Sequence, residues 1–234
     1  GHGSSRATYM AGTAMHFGAL ALLDKARPLA AMMLEASHDD IEFADGVFRV
    51  VGTDRNVTLL DVASFATERG VTLNTYYHFR RDAMTFPSGC HVAEVEVDIE
   101  TGQCEVVTYT AVDDYGVLVN PVVASAQLQG ATAQGIGQAL LEEVVYDAES
   151  GQLLTGSFMD YAMPRATDVP SVDTQHVGTR CTTNPLGVKG CGEAGAIAGY
   201  PAIANAILDA LREYDTRCLV GAATPARIWK LMHS

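Results

Sequence analysis

The chain has 234 residues, 48% hydrophobic and 18% charged, so it is long and apolar enough to bury a sizeable core and is not a disordered polymer. Its formal net charge is −13, with 28 acidic side chains scattered along it, which excludes the Lys/Arg stripe a nucleic acid needs; the acidity reads as solubility. No apolar run approaches the roughly 20 residues of a membrane span, and residues 1–6 lack the basic start and apolar stretch of a signal peptide.

In chain order, Tyr9 to Ala36 is rich in Ala, Leu and Met and predicts helix, broken near Pro28. Ile41–Val51 and Val57–Leu60 predict short strands, split by turn signals at Asp45-Gly46 and Gly52–Asn56. Asp61 is placed to cap a short helix reaching Glu68 and ended by Gly70. Between His91 and Glu100, Ala93, Val95, Val97 and Ile99 alternate with acidic residues; after Thr101-Gly102-Gln103, Glu105–Ala111 is again rich in Val, Thr and Tyr. That is a hairpin with one wet face and one buried face. Pro121 opens a long helix with small residues along one side, Val144–Leu154 suggests a second hairpin, and Val172–Val177 a strand. Pro201 fits the first turn of a helix reaching Arg212, and Thr224-Pro225 opens a last short one. The expectation is an α+β chain of antiparallel hairpins packed against long helices, spanning 1–234 as one region or two intertwined subdomains.

Five cysteines (Cys90, Cys104, Cys181, Cys191, Cys218) contain no C-x-x-C pair and are odd in number. Neither a disulfide framework nor an iron–sulfur or zinc site built from this chain alone is expected, and reduced thiols point to the cytoplasm.

The densest cluster of glycine and ionisable residues is NPLGVKGCGEAGAIAGYP, Asn184 to Pro201. Gly190, Gly192 and Gly195 satisfy G-x-G-x-x-G, the dinucleotide fingerprint, which has meaning only after a buried strand and ahead of an acidic residue closing the next strand. The preceding TRCTTNPLGVK is polar and interrupted by Pro185, and Asp209 and Glu213 fall in a predicted helix. A nicotinamide-dependent dehydrogenase is therefore the lesser reading. The chemical alternative is a glycine-walled turn that lets backbone approach a bulky ligand and sets Glu193 at a helix start. There close backbone would exclude water and raise the carboxyl's pKa, with Lys189 near to orient a substrate. A plain cap on the helix N-terminus explains Glu193 as well, and the residues alone leave the two open.

Asn184 through Glu193 resembles the signature of the molybdenum hydroxylase large subunits: xanthine dehydrogenases, aldehyde oxidoreductases and aerobic carbon monoxide dehydrogenases. In that family the glutamate of the motif stands beside the metal as general base, which here is Glu193. Gly3-Ser4-Ser5-Arg6 is similar to the family's Gly-Ser-Arg-Ser-type loop that contacts the cofactor; small residues, hydroxyls and one guanidinium ahead of a helix suit an anionic pterin. Val112–Gly116 with Val119-Asn120-Pro121 resembles a strand-end turn near the cofactor, although turn chemistry also explains Asp113 and Asp114. Gln127 through Gln138 resembles a cofactor-facing helix, with Gln127 at the position of a cofactor-bonding glutamine; its glycines demand close packing against a ligand or second helix. Gly156–Arg165 and Thr224–Trp229 also match, as interfacial segment and closing helix.

The resemblance covers essentially the whole chain in order. It implies that Glu193 is catalytic and that Gly3, Ser4, Ser5, Arg6, Gln127, Lys189, Gly190 and Gly192 contact a molybdopterin-type cofactor, the cytosine dinucleotide form being one candidate. The pterin supplies the sulfur ligands, so no protein ligand to the metal is assigned. The implied reaction is hydroxylation of an aldehyde, purine or N-heterocycle with oxygen from water, electrons leaving through iron–sulfur clusters to flavin or another acceptor. Implied partners are the remainder of the molybdenum subunit, an iron–sulfur subunit, an FAD subunit and a small-molecule substrate, assembled as a dimer of heteromers without nucleic acid or membrane span. The lack of an initiator Met and of the subunit's other half reads as a C-terminal fragment or a naturally split subunit, inactive alone. A non-catalytic assembly domain sharing the fold is the remaining alternative.

Overall fold

A computed structural model describes residues 3–214, 216 and 218–233. Among them, five helices and two three-stranded sheets follow one another along the chain, an α+β arrangement. The chain divides into two compact units, one made of Met10–Arg81 and the other of residues 1–9 with 82–234.

In the smaller unit, most of helix α1 (Ala7–Met33) is followed by strands β1 (Ile41–Ala44), β2 (Val47–Val50) and β3 (Asn56–Thr58) and helix α2 (Leu59–Glu68). The β1–β2 hairpin closes on Asp45 and Gly46, with φ of 50° and 79°, the backbone a two-residue hairpin turn requires. Ala26, Leu29 and Ala30 of α1 bury against Ile41, Phe48, Val62 and Ala66. That burial explains why α1 runs through Pro28 unbroken, contrary to the expected break. Residues on either side of the proline are locked into a core, which outweighs one missing hydrogen bond. The cap of α2 also differs from expectation. Thr58 is the N-cap, and Asp61 sits three residues on as its reciprocal partner in a capping box.

In the larger unit, β4 (Ser88–Val97) and β5 (Cys104–Asp114) form the predicted antiparallel hairpin, with a bulge at Glu94/Val95. Ala93, Val95 and Val97 pack on the core that Val106, Tyr109 and Ala111 enter from β5, while Glu94 and Glu96 face solvent. Strand β6 (Val172–His176) joins β5 in parallel, so the sheet is mixed rather than purely of hairpins. Helices α3 (Pro121–Leu140) and α4 (Ala194–Ala210) cross where Gly135 meets Gly199; a Cβ on Gly135 would stand 2.7 Å from the Gly199 Cα. Pro201 lies inside α4 instead of opening it, because burial of Ile203, Ala204 and Ile207 carries the helix past the proline. The expected second hairpin forms in minimal shape, one bridge of Tyr146 with Leu153 flanked by hydrogen bonds from Asp147 N–H to the Gln152 carbonyl and from Leu154 N–H to the Val145 carbonyl: Val144, Tyr146 and Leu154 are exposed and have no core to extend a ladder. Helix α5 (Pro225–Met232) closes the chain, sealing the core with Ile228.

Candidate active site

Three chain segments of the larger unit meet at the start of α4. Gly3–Arg6 forms a turn directly before α1, with Ser4 and Ser5 in the left-handed region at φ of 60° and 48°. The glycine-rich segment folds over this turn. A Cβ on Gly190 would lie 2.3 Å from the Ser5 carbonyl oxygen, and one on Gly192 would lie 3.0 Å from Ser5 Oγ. Here the glycines permit backbone-to-backbone approach. Ser5 Oγ donates to Glu193 Oε2 at 3.2 Å, and from α3 Gln127 Nε2 donates to the Gly192 carbonyl at 2.9 Å.

Glu193 occupies the N-cap position of α4, yet its side chain makes no capping hydrogen bond. The carboxylate is instead held toward the Ser5 turn and is exposed. The water exclusion expected around it is not provided by the described residues.

Lys189 does not turn to Glu193. Its Nζ donates to Asp114 Oδ2 at 2.7 Å, with both side chains largely shielded. Asp114 Oδ1 also accepts the N–H groups of Gly116 (2.8 Å) and Thr179 (3.0 Å). Burial alone would raise this carboxyl, but the Lys189 ammonium and the two backbone donors hold it well below the usual carboxylate range. Upstream, Asn184 is buried and braces the loop through both ends of its amide, donating to the Val188 carbonyl (2.9 Å) and accepting the Val188 N–H (3.2 Å).

Behind the site lies a buried polar network the sequence reading did not identify. His91 Nε2 lies 3.1 Å from Asp113 Oδ2 and its Nδ1 2.8 Å from the Tyr109 hydroxyl; Tyr115 donates to Asp113 at 2.7 Å. His91 and Asp113 side chains are only 2% and 3% exposed. Gly89 makes room for them, since a Cβ there would overlap Asp113 Oδ1. Burial, reinforced by the Asp113 charge, pushes Tyr109 up to about 12 and Tyr115 further, so both remain phenols. Turn chemistry is the sequence's explanation for Asp113, and only the register of β4 with β5 reveals that it and His91 satisfy each other.

No strand precedes Gly190: residues 177–193 contribute only an isolated bridge from Val188 to Gly116, and Gly190 and Gly192 pack on Ser5. The nicotinamide-dependent alternative through Gly190, Gly192 and Gly195 therefore lacks the strand–turn–helix that the fingerprint needs. Of the expected site residues, the structure brings Ser5, Gln127, Gly190, Gly192 and Glu193 together and leaves Gly3, Ser4 and Arg6 in the adjoining turn. Lys189 is paired elsewhere.

Residues 1–170 match the family model of the molybdopterin cofactor-binding domain. The gamma subunit of the 6-hydroxypseudooxynicotine dehydrogenase complex of Paenarthrobacter nicotinovorans is 40% identical over 223 residues, covering 91% of this chain and 28% of its own length. A crystal structure of the Cu,Mo-CO dehydrogenase superposes with a TM-score of 0.89 at 29% identity, over 98% of this chain and 29% of that one. Quinoline 2-oxidoreductase from Pseudomonas putida 86 superposes with 0.85 at 31% identity, over 98% and 30%. The chain thus spans less than a third of the length of these relatives, which are oxidoreductases. By family model, relatives and architecture, the chain belongs to the molybdopterin cofactor-binding domain family of the molybdenum hydroxylases.

Proposed function

We propose that this chain is the C-terminal, cofactor-holding part of the large subunit of a molybdenum-dependent hydroxylase, with Glu193 as general base. The observation that carries the reading is the Ser5–Glu193 hydrogen bond: a carboxylate at a helix start that forgoes capping and is drawn to the turn ahead of a second helix. That contact orients Oε2, and among the described residues nothing bonds Oε1, which is left to accept a proton.

The residues fit a pterin cofactor. The Ser4 hydroxyl, the Arg6 guanidinium, the second N–H of the Gln127 amide and the N-terminus of α1, whose first turn has no acidic residue, form a donor set suited to an anionic ligand, with the Ser5 hydroxyl given to Glu193. The glycines of α3 sharpen this. Gly135 faces Gly199, and a Cβ on Gly137 would strike Glu142 and Pro164, but Gly130 meets nothing within 4 Å. A helical glycine costs about 1 kcal/mol relative to alanine. One that no packing explains, three residues from Gln127, is suited to a group lying close against the helix. When bound, the molybdenum cofactor supplies two-electron redox chemistry and the oxygen that reaches the substrate. Ser4, Ser5, Arg6 and Gln127 would hold it, Gly190 and Gly192 would admit it, and Glu193 would take the proton at Oε1. The cytosine dinucleotide form is one candidate for the pterin.

An N-heteroaromatic substrate is favoured by two relatives, whose names specify 6-hydroxypseudooxynicotine and quinoline. The remainder of the large subunit would close the pocket over the exposed Glu193, and iron–sulfur and FAD subunits would carry the electrons away. Five unpaired cysteines and the absence, among the described residues, of a helix able to cross a membrane are consistent with a cytoplasmic complex. The test is Glu193→Gln in the complete complex: turnover falls by about 100-fold or more with molybdenum content retained. Turnover near that of the unsubstituted complex would overturn the base and favour a non-catalytic assembly domain.

A further inference from the structure

Lys189 stands four residues before Glu193, on the turn that carries it. Its ammonium is bound to Asp114 at 2.7 Å, and both partners are mostly withdrawn from water. The end of β5 grips this segment at several further points. The Tyr115 carbonyl accepts the Lys189 N–H at 2.9 Å, and Val117 N–H donates to the Gly187 carbonyl at 2.9 Å. Gly116 fits so closely that a Cβ would lie 2.3 Å from the Gly187 carbonyl oxygen. Asp114 is itself fixed by the Gly116 and Thr179 N–H groups, so it is a preset acceptor rather than a mobile one.

The strand end is also anchored from behind. Asp113, on the opposite face of β5, is buried and joined to His91 and Tyr115. Adjacent carboxylates thus point in opposite directions, one into the core and one onto the glycine-rich turn.

We infer that the Asp114–Lys189 pair is a latch that holds the Glu193 turn in register against the end of β5, making Lys189 a positioning residue that acts through Asp114 and not a contact to cofactor or substrate. The inference rests on the reading of Glu193 as base. Its physical content is that a misplacement of about 1 Å at a reacting group costs on the order of 100-fold in rate, while binding made elsewhere is untouched.

Asp114→Asn, Lys189→Met and the double variant, each in the complete complex, test it by amide hydrogen exchange, molybdenum content and steady-state kinetics. In all three, exchange at residues 187–193 rises by about tenfold or more while β4 keeps its protection. The kcat falls by about 10- to 100-fold at nearly constant KM and molybdenum content, the double variant falls no further than either single one, and Lys189→Arg restores part of the loss. Unchanged exchange at 187–193 in Asp114→Asn overturns the latch. So does loss of protection throughout β4, which marks a general folding role, or a Lys189→Met variant that loses molybdenum or raises KM while Asp114→Asn is silent. Glu193→Gln run alongside separates the two claims: if it leaves kcat intact the base reading falls, and the exchange measurement still decides the latch.

Discussion

Asp113 and Asp114 are neighbours in sequence with opposite surroundings, because a strand sends successive side chains to opposite faces. Asp113 is 3% exposed and accepts from Tyr115 while lying 3.1 Å from His91 Nε2. In the neutral tautomer that donates Nε2–H to Asp113, His91 accepts the Tyr109 hydroxyl on Nδ1, and each side chain of this network has a partner. Asp113→Ala leaves two buried donors without an acceptor, at about 1–3 kcal/mol each, and should destabilise by about 2–6 kcal/mol, read from denaturant melts. A variant within 1 kcal/mol of the parent would mean that the network contributes little. Tyr109 adds a pH signature. Its hydroxyl is raised from 10.0 to about 12, by burial first and the Asp113 charge second. A raised value favours the protonated form in the fold, so the stability is complete below about 10 and is lost as pH rises through about 12. Tyr109→Phe should flatten the alkaline limb of a stability–pH curve; an unchanged limb would assign it to another group.

At the level of elements, the β4–β5 hairpin was legible because one face is wet and the other buried, so composition alternates with the pleat. Helix α3 was legible from Pro121, and the small residues along it from their cost in a helix. The prolines misled for one reason: local propensity at Pro28 and Pro201 is overridden by burial of Leu29 and Ala30 in one helix and Ile203 and Ile207 in the other. Val144–Leu154 pairs about the expected turn but stops at a single bridge, a strand-like composition with no core to extend it. Glu193, Ser5 and Gln127 were singled out through resemblance, and the Asp114–Lys189 pair was not, since 75 residues separate partners that only the fold joins. The α3–α4 crossing offers an element-scale test. Gly135 and Gly199 approach so closely that a Cβ on Gly199 would lie 2.9 Å from Gly135 Cα, which is backbone and cannot yield. Gly199→Ala should destabilise by about 1–3 kcal/mol in thermal or chemical melts. Gly130→Ala, whose Cβ meets nothing, should raise stability by up to about 1 kcal/mol in the cofactor-free protein. In the complete complex the same substitution should lower molybdenum content; stability and loading that rise together would remove Gly130 from the cofactor's path.

For the molecule as a whole, two properties oppose each other. The net charge of −13 keeps copies apart. Yet Phe158 is 84% exposed and Met159 93%, within a segment that also exposes Tyr146, Leu154 and Met163. Single exposed apolar side chains are ordinary, but a run of them on one stretch of chain is surface suited to burial by another body. Because charge repulsion between surfaces is screened beyond about 8 Å at physiological salt, the balance should tip with ionic strength. Purified alone, the chain should stay monomeric in low salt and associate as salt is raised, measured by light scattering across a salt series. Phe158→Ser with Met159→Ser should suppress that association without changing the fold, since neither side chain belongs to a core. Association that weakens with salt would show an electrostatic contact instead, and the exposed apolar run would lose its part in assembly.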